Sequence, residues 1–356
     1  MRTRKLGRTE LEIPVICLGA WAIGGWWWGA ADDEQSLAAL GAALESGTNA
    51  IDTAPVYGFG HSEELVGRFL AAERGRRERV IVMTKAGLRW DTDEGQPFFE
   101  TKDGAGRSRR IFRNSRPASL RAEVEASLGR LGIERIDLLQ VHWPDGTTPI
   151  DESMGALLEL RGEGKIREIG VSNFSPGQMA EAQAALGQVP LASDQPPYNL
   201  LERASEEDVL PHAIEQGIGI VVYSPLHQGL LTGRVTADRV LAEDDGRRKK
   251  PTFSQENRRR VNAFLEATVA PIAETQEASL GQVLLAWTVD QPGITAALVG
   301  ARTADQAREN AAAGSLQLSA VELAAIRAGA LNLELELPRP KAVGGLRGFI
   351  KRLARG

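Results

Sequence analysis

The sequence has few of the residues that build cross-linked or metal-bound proteins. Among its 356 residues it has one cysteine, Cys17, which excludes an intrachain disulfide and a cysteine zinc site. Its four histidines are scattered widely, so we expect no histidine-rich centre and no bound metal. Cys17 falls inside a short apolar run, where we expect it to be a small, buried packing residue.

Long apolar runs and an excess of basic charge are also missing. No run reaches the ~18 apolar residues that a membrane helix needs, and no signal-peptide core follows the polar segment Met1–Arg8. The 42 lysines and arginines against 47 aspartates and glutamates leave a net charge of −5, which argues against a general nucleic-acid binder. We therefore expect a soluble, cytoplasmic protein with no membrane span and no nucleic-acid partner.

The dominant pattern is an alternation of short apolar runs with longer amphipathic stretches, from about residue 15 to residue 315. Such an alternation predicts parallel strands that are joined by crossover helices. The predicted strands are Val15–Gly19, Asn49–Asp52, Val80–Lys85, Ile136–His142, Ile166–Ser172, Leu191–Gln195, Ile218–Ser224 and Thr295–Gly300. The clearest predicted helices between them are Glu34–Ser46, Glu63–Ala72, Pro117–Leu131 and Asp151–Glu163.

Eight strand–helix units in a chain of this length predict a closed (β/α)₈ barrel, an α/β fold of the TIM-barrel type. The rival fold, a doubly wound open sheet, usually carries G-x-G-x-x-G after its first strand. Residues 19–25 after the first strand are Gly-Ala-Trp-Ala-Ile-Gly-Gly, which does not fit that motif. We predict one barrel domain over residues 1–335, followed by a tail over residues 336–356.

Three segments interrupt the alternation. Arg89–Arg116 is predicted to be a long polar loop, and Arg234–Arg260 a charged insertion after the seventh strand. Both segments follow strands on the face of the barrel where long loops often form lids over a site. The alternative is that each segment is only solvent-exposed surface. The basic tail has apolar residues at helical spacing, so it packs on its own barrel or else contacts a partner subunit or an anionic surface. A homo-oligomer is compatible with the sequence, which does not decide the oligomeric state.

Polar side chains stand at the ends of successive predicted strands, where a barrel of this type collects its reactive groups. The second strand ends at Asp52, five residues before Tyr57, and the third and fourth end at Lys85 and His142. A phenol with a pKa near ~10 can donate a proton at neutral pH, and a neighbouring ammonium favours its phenolate. A carboxylate holds the ammonium in place, and an imidazole can orient a carbonyl oxygen. These four side chains predict carbonyl reduction with hydride from a cofactor.

The motifs around these residues resemble those of the aldo-keto reductases. No single motif is decisive, but the set occurs in the order of that family and covers residues 3–315. The matching segments are Leu6–Thr9, Leu18–Trp21, Ile51–Gly58, Thr84–Lys85, Gln140–Pro144, Gly170–Phe174, Tyr223–Leu226 and Val299–Arg302. The resemblance implies a (β/α)₈ barrel that uses NADP(H) to reduce a small carbonyl compound.

The resemblance also implies residue roles. Tyr57 is then the general acid, tuned by Lys85 and Asp52, and His142 orients the substrate carbonyl. The implied cofactor-binding residues are Ala20, Trp21, Asp52, Ser172, Asn173, Gln195, Tyr223, Ser224, Pro225, Leu226, Gly229, Leu231, Arg234, Gly300, Arg302, Gln306, Glu309 and Asn310. Within this set Tyr223 stacks on the nicotinamide, Ser224–Leu231 lines the pyrophosphate and Arg302 meets the 2′-phosphate.

Tryptophans near the first strand suggest an apolar substrate pocket, since aromatic walls with a few polar groups are the usual pocket composition. The predicted substrate-binding residues are Trp21, Trp26, Tyr57, Trp90, His142 and Trp143. Packing of the tryptophans in a core or a dimer interface is the alternative. His227 stands where the family usually has a small residue, so it either alters closure over the cofactor or points to solvent.

The leading functional prediction is an NADPH-dependent reductase of aldehydes or ketones. The alternative is a cofactor-binding, redox-sensing regulatory subunit with little turnover, which the basic tail alone favours. A barrel isomerase or lyase without nicotinamide is disfavoured, because it has no use for Tyr223 beside Asn173 and Gln195.

Overall fold

The predicted barrel is confirmed. A computed structural model of the chain describes residues 1–26, 32–243 and 245–337. Within these residues eight parallel strands close into a barrel in the order β3-β4-β5-β9-β10-β11-β12-β13, and β13 pairs back to β3. The strands are β1 (Thr3–Lys5), β2 (Glu12–Pro14), β3 (Ile16–Gly19), β4 (Ala50–Asp52), β5 (Ile81–Ala86), β6 (Leu88–Arg89), β7 (Gln96–Lys102), β8 (Ser108–Arg113), β9 (Ile136–Val141), β10 (Ile166–Ser172), β11 (Ser193–Gln195), β12 (Gly219–Val222) and β13 (Ala296–Gly300).

Helices cover the outside of the barrel, and local sequence signals set their ends. Helix α3 begins at Pro117, whose fixed φ suits a first turn, and it ends before Gly132 in the left-handed conformation. Helix α5 begins with a capping box between Ser175 and Gln178. The helices are α1 (Asp33–Glu45), α2 (His61–Ala71), α3 (Pro117–Leu131), α4 (Ile150–Gly162), α5 (Pro176–Leu186), α6 (Val209–Gln216), α7 (Gln255–Phe264), α8 (Ala270–Thr275), α9 (Leu280–Val289), α10 (Ala304–Ala312) and α11 (Ala320–Leu331).

The hairpin of β1 and β2 closes the N-terminal end of the barrel. Its buried Leu6 and Ile13 pack in one cluster with Cys17 and Met83 from the barrel interior. Cys17 is therefore a buried packing residue, as expected. Because this end is plugged by apolar side chains, access to the barrel is from the C-terminal ends of its strands.

The segment Arg89–Arg116 is not the simple polar loop that we expected. It carries a three-stranded antiparallel sheet in the order β6-β8-β7. The ladder between β7 and β8 shifts register between Pro97 and Phe99. The prediction was wrong because charged residues alternate here with a few apolar ones, and the strands pair only with each other, beside the barrel mouth.

The insertion Arg234–Arg260 is anchored to the protein rather than merely solvated. Its final part forms the start of α7, where the Nδ2 group of Asn257 donates to the carbonyl oxygen of Glu336 at 3.0 Å, and Arg247 donates to the carbonyl oxygen of Gln228 at 3.1 Å. One residue of the insertion, Asp244, lies outside the described residues. The insertion thus has a defined shape beside the barrel mouth.

The tail predicted over residues 336–356 lies almost wholly outside the described residues, which end at Leu337. Its packing and partner therefore stay predictions. In the described part of the chain, no helix is both long and apolar enough to cross a membrane.

Candidate active site

A cavity of about 620 Å³ opens at the C-terminal ends of the barrel strands. Strand register places its polar floor in one layer, because Lys85 lies opposite Gln140 and Ser172 lies opposite Gln195 in neighbouring strands. Inward side chains of adjacent strands then meet across the barrel. The short strand β4 adds Asp52, which lies opposite Met83 in β5, and Lys85, two residues further along β5, reaches its carboxylate.

Asp52 and Lys85 form a buried ion pair at the base of the cavity. Lys85 is fully buried and its Nζ donates to Asp52 Oδ1 and, at 3.1 Å, to the carbonyl oxygen of Thr53. The other carboxylate oxygen of Asp52 accepts from Nε2 of Gln140 at 3.1 Å and of Gln195 at 3.0 Å. Burial lowers the pKa of Lys85, but the charges of Asp52 and Tyr57 outweigh that effect, so the net shift is upward and the ammonium persists.

Tyr57 lies above this pair, in the turn that follows β4. Lys85 Nζ is 5.0 Å from the centre of the Tyr57 ring, and the Trp21 ring stacks on Tyr57 with centroids 6.0 Å apart. Burial raises the pKa of the Tyr57 hydroxyl above its ordinary value, Lys85 lowers it, and Asp52 raises it. The net shift is upward, so Lys85 limits the rise that burial causes. Tyr57 is thus protonated at neutral pH and can donate a proton.

His142 completes the floor of the cavity directly after β9. Its ring meets the Tyr57 ring edge to face, with centroids 5.7 Å apart. Burial holds the pKa of His142 well below its ordinary value, and the nearby Lys85 ammonium lowers it further. The imidazole is therefore neutral at pH 7, so it can donate one N–H to a substrate oxygen without competing as an acid.

A second group of polar residues follows β10, β11 and β12. Asn173 has the left-handed φ of 62°, and its Nδ2 donates to Ser172 Oγ at 2.9 Å and to the carbonyl oxygen of His142 at 3.1 Å. Tyr223 donates through its hydroxyl to Asn173 Oδ1 at 3.0 Å. This linked set presents a phenol ring and amide groups to one side of the cavity, a donor and acceptor pattern that suits a planar carboxamide.

The segment Ser224–Leu231, called the cover segment below, crosses the cavity in an unusual backbone conformation. Ser224, His227 and Gln228 have positive φ angles of 58°, 45° and 54°. His227 does not simply point to solvent: its ring stacks on Phe253 with centroids 5.8 Å apart, and its Nε2 lies 3.1 Å from Thr252 Oγ1. Burial lowers the pKa of His227 to about 4. The cover segment is therefore held by the insertion through a neutral, packed imidazole.

Four arginines line the other end of the cavity among the described residues, namely Arg234, Arg239, Arg247 and Arg302. Arg247 donates to the carbonyl oxygen of Gln228 at 3.1 Å, and Arg234 pairs with Glu309 of α10 at 2.7 Å. Helix α10 starts after Arg302 with Thr303 as its cap, so its free N–H groups face the same end. Guanidinium groups and a helix N-terminus form a donor set that fits the phosphates of a dinucleotide.

The comparison with protein families agrees with this geometry. The model named "Aldo/keto reductase family" matches residues 15–330. The chain belongs to the aldo-keto reductase family. It is 41% identical over 309 residues to "Aldo-keto reductase YhdN" of Bacillus subtilis, which covers 86% of each chain.

Two further aldo-keto reductase relatives match over nearly the whole chain. The "NADH-specific methylglyoxal reductase" of Escherichia coli is 38% identical and covers 94% of this chain and all of the relative. The solved structure of the glycerol dehydrogenase AKR11B4 from Gluconobacter oxydans superposes with a TM-score of 0.83 at 39% identity. It covers 97% of this chain and 98% of that chain.

This aldo-keto reductase structure brings most of the predicted site residues into one cavity. Lys85 is fully buried and does not line the cavity, but it contacts two residues that do, Asp52 and Tyr57. The predicted residues that line the cavity are Trp21, Trp26, Asp52, Tyr57, His142, Trp143, Ser172, Asn173, Gln195, Tyr223, Ser224, Pro225, Leu226, Gly229, Arg234, Gly300, Arg302, Gln306, Glu309 and Asn310. Their individual roles stay predictions.

Besides Lys85, three predicted residues do not line the cavity. Ala20 and Leu231 are fully buried in the core, and the side chain of Trp90 instead packs edge-on against Phe59, with centroids 5.7 Å apart. A motif names neighbouring residues together, but alternate residues of a strand or turn face opposite sides. For this reason the predicted cofactor-binding set included Ala20 and Leu231, which are buried neighbours of residues that do line the cavity.

Several cavity or floor residues were not predicted. Gln140 is two residues before His142, so strand periodicity alone places both on the inward face. Phe98 and Phe99 were missed because their segment was taken as a polar loop. The remaining lining residues that we did not name as site residues include Val56, Leu88, Arg239, Arg247 and Gln282.

Proposed function

We propose that this aldo-keto reductase is an NADPH-dependent reductase of aldehydes or ketones, with Tyr57 as the proton donor. The observation that carries the proposal is the shared cavity of Tyr57 and His142 above the buried Asp52–Lys85 pair. The phenol is protonated, the imidazole is neutral, and a fixed cation lies 5.0 Å from the centre of the phenol ring. These are the protonation states that carbonyl reduction requires at neutral pH.

The proposed reaction needs a proton and a hydride. His142 donates a hydrogen bond to the carbonyl oxygen and orients it toward Tyr57. Tyr57 transfers its proton to that oxygen as negative charge develops, and the Lys85 ammonium stabilises the phenolate that remains. The hydride that the carbonyl carbon accepts would come from a reduced nicotinamide, when one is bound. Asp52, held by Gln140 and Gln195, keeps the ammonium charged and in place.

The dinucleotide is placed along the length of the cavity in this proposal. Ser172, Asn173 and Gln195 would hold the carboxamide, and Tyr223 would pack on the nicotinamide ring. The cover segment and the arginine end of the cavity hold the phosphates. The preference for NADPH is based on Arg302, beside the N-terminus of α10, where a 2′-phosphate gains charge-assisted hydrogen bonds. The Escherichia coli relative, in contrast, is named as NADH-specific.

The Tyr57→Phe variant tests the proposal. Oxidation of NADPH and of NADH is followed against a panel of aldehydes and ketones, with wild type and variant side by side. We expect turnover with NADPH, and a loss of roughly 10²–10⁴ in kcat for Tyr57→Phe with cofactor affinity nearly unchanged. Retention of most turnover in Tyr57→Phe would contradict the assignment. Tight cofactor binding with no turnover of any carbonyl would contradict the reductase function and favour the alternative, a regulatory subunit.

A further inference from the structure

The cover segment begins with a turn that a side chain from elsewhere in the chain also bonds. Ser224 has a φ of 58°, which residues other than glycine rarely adopt. Its carbonyl oxygen accepts the N–H of His227 at 2.9 Å, so Ser224–His227 is a hydrogen-bonded β-turn with Pro225 in its second position. The same carbonyl oxygen accepts a hydrogen bond from Nδ2 of Asn199 at 3.2 Å. Asn199 therefore ties the start of the cover segment to the stretch that follows β11.

Asn199 is a fully buried residue whose amide is bonded through both its nitrogen and its oxygen. While Nδ2 donates to Ser224, Oδ1 accepts the N–H of Leu201 at 2.9 Å. The backbone N–H and carbonyl oxygen of Asn199 pair with those of Glu202, at 3.0 Å each. A buried amide that is satisfied in this way on a paired backbone has one orientation. Asn199 thus presents a fixed donor to the turn.

The stretch that carries Asn199 lies along the strand end that carries Tyr223. The N–H of Tyr223 donates to the carbonyl oxygen of Pro196 at 3.1 Å, and the N–H of Tyr198 donates to the carbonyl oxygen of Tyr223 at 3.2 Å. Residues 196–199 therefore continue from β11 beside the end of β12 and reach the turn at Ser224. A shift of this stretch would move Tyr223 and the turn together.

Helices α9 and α11 brace the same stretch. The ring of the buried Tyr198 stacks on Trp287 of α9 with centroids 6.2 Å apart, and its hydroxyl donates to Glu206 at 2.6 Å. Glu206 forms a two-point ion pair with Arg327 of α11, at 2.8 Å for both contacts. None of these residues lines the cavity. The position of Asn199 is therefore set by the packing of the protein, independently of what the cavity holds.

We propose that Asn199 is a positioning residue for the dinucleotide: it holds the turn Ser224–His227 in the conformation that covers the cavity, and so slows cofactor release. The inference rests on the proposed function and adds to it a residue that does not line the cavity. The left-handed conformation of Ser224 costs free energy, which the hydrogen bond from Asn199 helps to offset. Without that bond the cover segment opens more often, and a bound dinucleotide leaves sooner.

The variant Asn199→Leu removes the amide and keeps the size of the side chain. Its matched control is Gln183→Met on α5, because Gln183 also accepts a backbone N–H, that of Leu191 at 2.8 Å, and donates to a backbone carbonyl, that of Val189 at 3.1 Å. Both variants should lower the free energy of unfolding in urea. Only Asn199→Leu should release NADPH or NADH faster, by roughly 5- to 30-fold in stopped-flow chase experiments. A wild-type release rate in Asn199→Leu, or equal acceleration in both variants, would overturn the proposal.

Hydrogen exchange in the cofactor-free protein tests the opening of the cover segment directly. The N–H groups of His227, Gly229 and Leu231 are bonded within the cover segment, so peptides that contain them report its opening. Their exchange should be roughly 5- to 30-fold faster in Asn199→Leu and unchanged in Gln183→Met. Asn199→Ala, which needs no extra space, is the second variant if the leucine does not fold. Wild-type exchange of these peptides in the folded variant would overturn the proposal.

Turnover and cofactor release together separate this inference from the proposed function. If NADPH or NADH binds, no carbonyl is turned over and Asn199→Leu releases the dinucleotide faster, the reductase is refuted and the positioning role is supported. If wild type reduces aldehydes and Asn199→Leu releases the cofactor at the wild-type rate, the reductase is supported and the positioning role is refuted. Binding of neither dinucleotide would refute both.

Discussion

Lys85→Met should affect stability and chemistry by separate physical effects. Lys85 is fully buried and Asp52 is 2% exposed, so the variant leaves a carboxylate without its cation in a dry environment. Removal of one partner of a buried pair typically costs about 3–5 kcal/mol. Gln140 and Gln195 still donate to Asp52 at 3.1 and 3.0 Å, so we expect a loss at the lower end, about 3 kcal/mol.

The chemical effect of Lys85→Met acts on the protonation of Tyr57. Burial raises the pKa of Tyr57 and Lys85 opposes that rise, so removal of the ammonium moves the pKa still higher. Each pKa unit lowers the phenolate fraction about tenfold at a given pH. Reduction uses the protonated phenol and dehydrogenation uses the phenolate. We therefore expect alcohol oxidation to lose more activity than reduction, and its pH profile to move to higher pH.

The double variant Lys85→Met with Asp52→Asn separates the two effects. An amide at residue 52 removes the isolated charge, so the double variant should regain most of the free energy of unfolding that Lys85→Met loses. Its activity in both directions should stay low. The assay is urea unfolding of wild type, both single variants and the double variant, beside initial rates in both directions across pH. Equal stability of Lys85→Met and the double variant would refute the buried-charge argument. Unchanged rates in both directions would refute the coupling of Lys85 to Tyr57.

Three further results are expected. Arg302→Ala should weaken NADPH by roughly 10- to 150-fold and leave NADH almost unchanged in a fluorescence titration, since a charge-assisted contact to a phosphate is worth about 1.5–3 kcal/mol. His227→Ala should speed cofactor release several-fold in stopped-flow chase experiments, because it removes the stack on Phe253 that holds the cover segment. Glu123, buried against the Gly87 N–H at 2.9 Å, has its pKa raised by burial to about 8. Its folded pKa exceeds the unfolded value, so stability falls as the pH rises from about 5 to about 8. Glu123→Gln should remove the share of that fall that Glu123 causes and leave the share of buried Asp194, whose pKa burial raises to about 7.

Each of these expectations has a clear contrary result. A parallel loss of NADPH and NADH affinity in Arg302→Ala would mean that Arg302 supports the loop instead of binding the phosphate. Equal release rates in wild type and His227→Ala would mean that the insertion does not hold the cover segment. A pH dependence of stability that is the same with Glu123 and with glutamine would place the titrating group elsewhere.

Most of the eight barrel strands were predictable because they are short apolar runs bounded by polar residues; β11, with the sequence Ser-Asp-Gln, is the exception. The predicted strand Ile166–Ser172 and the predicted helix Pro117–Leu131 match the structure residue for residue. In these segments the signals for the ends are local: a proline in the first turn, a glycine after the last turn and a polar residue at the strand end. Tertiary contacts therefore did not shift the ends of this strand and this helix from those that the local sequence predicts.

The small sheet β6–β8 could not be predicted in the same way. Its strands are rich in charge, and the register shift at Pro97 removes the alternation that would announce β7. Long-range hydrogen bonds were also beyond reach: the amide of Gln195 bonds Asp52 from 143 positions away. Sequence motifs could name Asp52 and Gln195. That the Asp52 carboxylate bonds Gln195, Gln140 and Lys85 together follows from the barrel register alone.

The two ends of the segment that carries β6–β8 lie beside each other. The backbone N–H of Asn114 donates to the carbonyl oxygen of Gly87 at 3.0 Å, so residues 88–113 leave and re-enter the barrel at one point. The proposed catalytic groups lie on or beside the barrel strands, whereas the rings of Phe98 and Phe99 lie in this segment. Residues 88–113 can therefore be exchanged as a unit. Grafting another sequence between Gly87 and Asn114 would change the shape of this end of the cavity and leave the Asp52–Lys85 pair in place. New selectivity in this scaffold can be sought in one contiguous stretch of the gene.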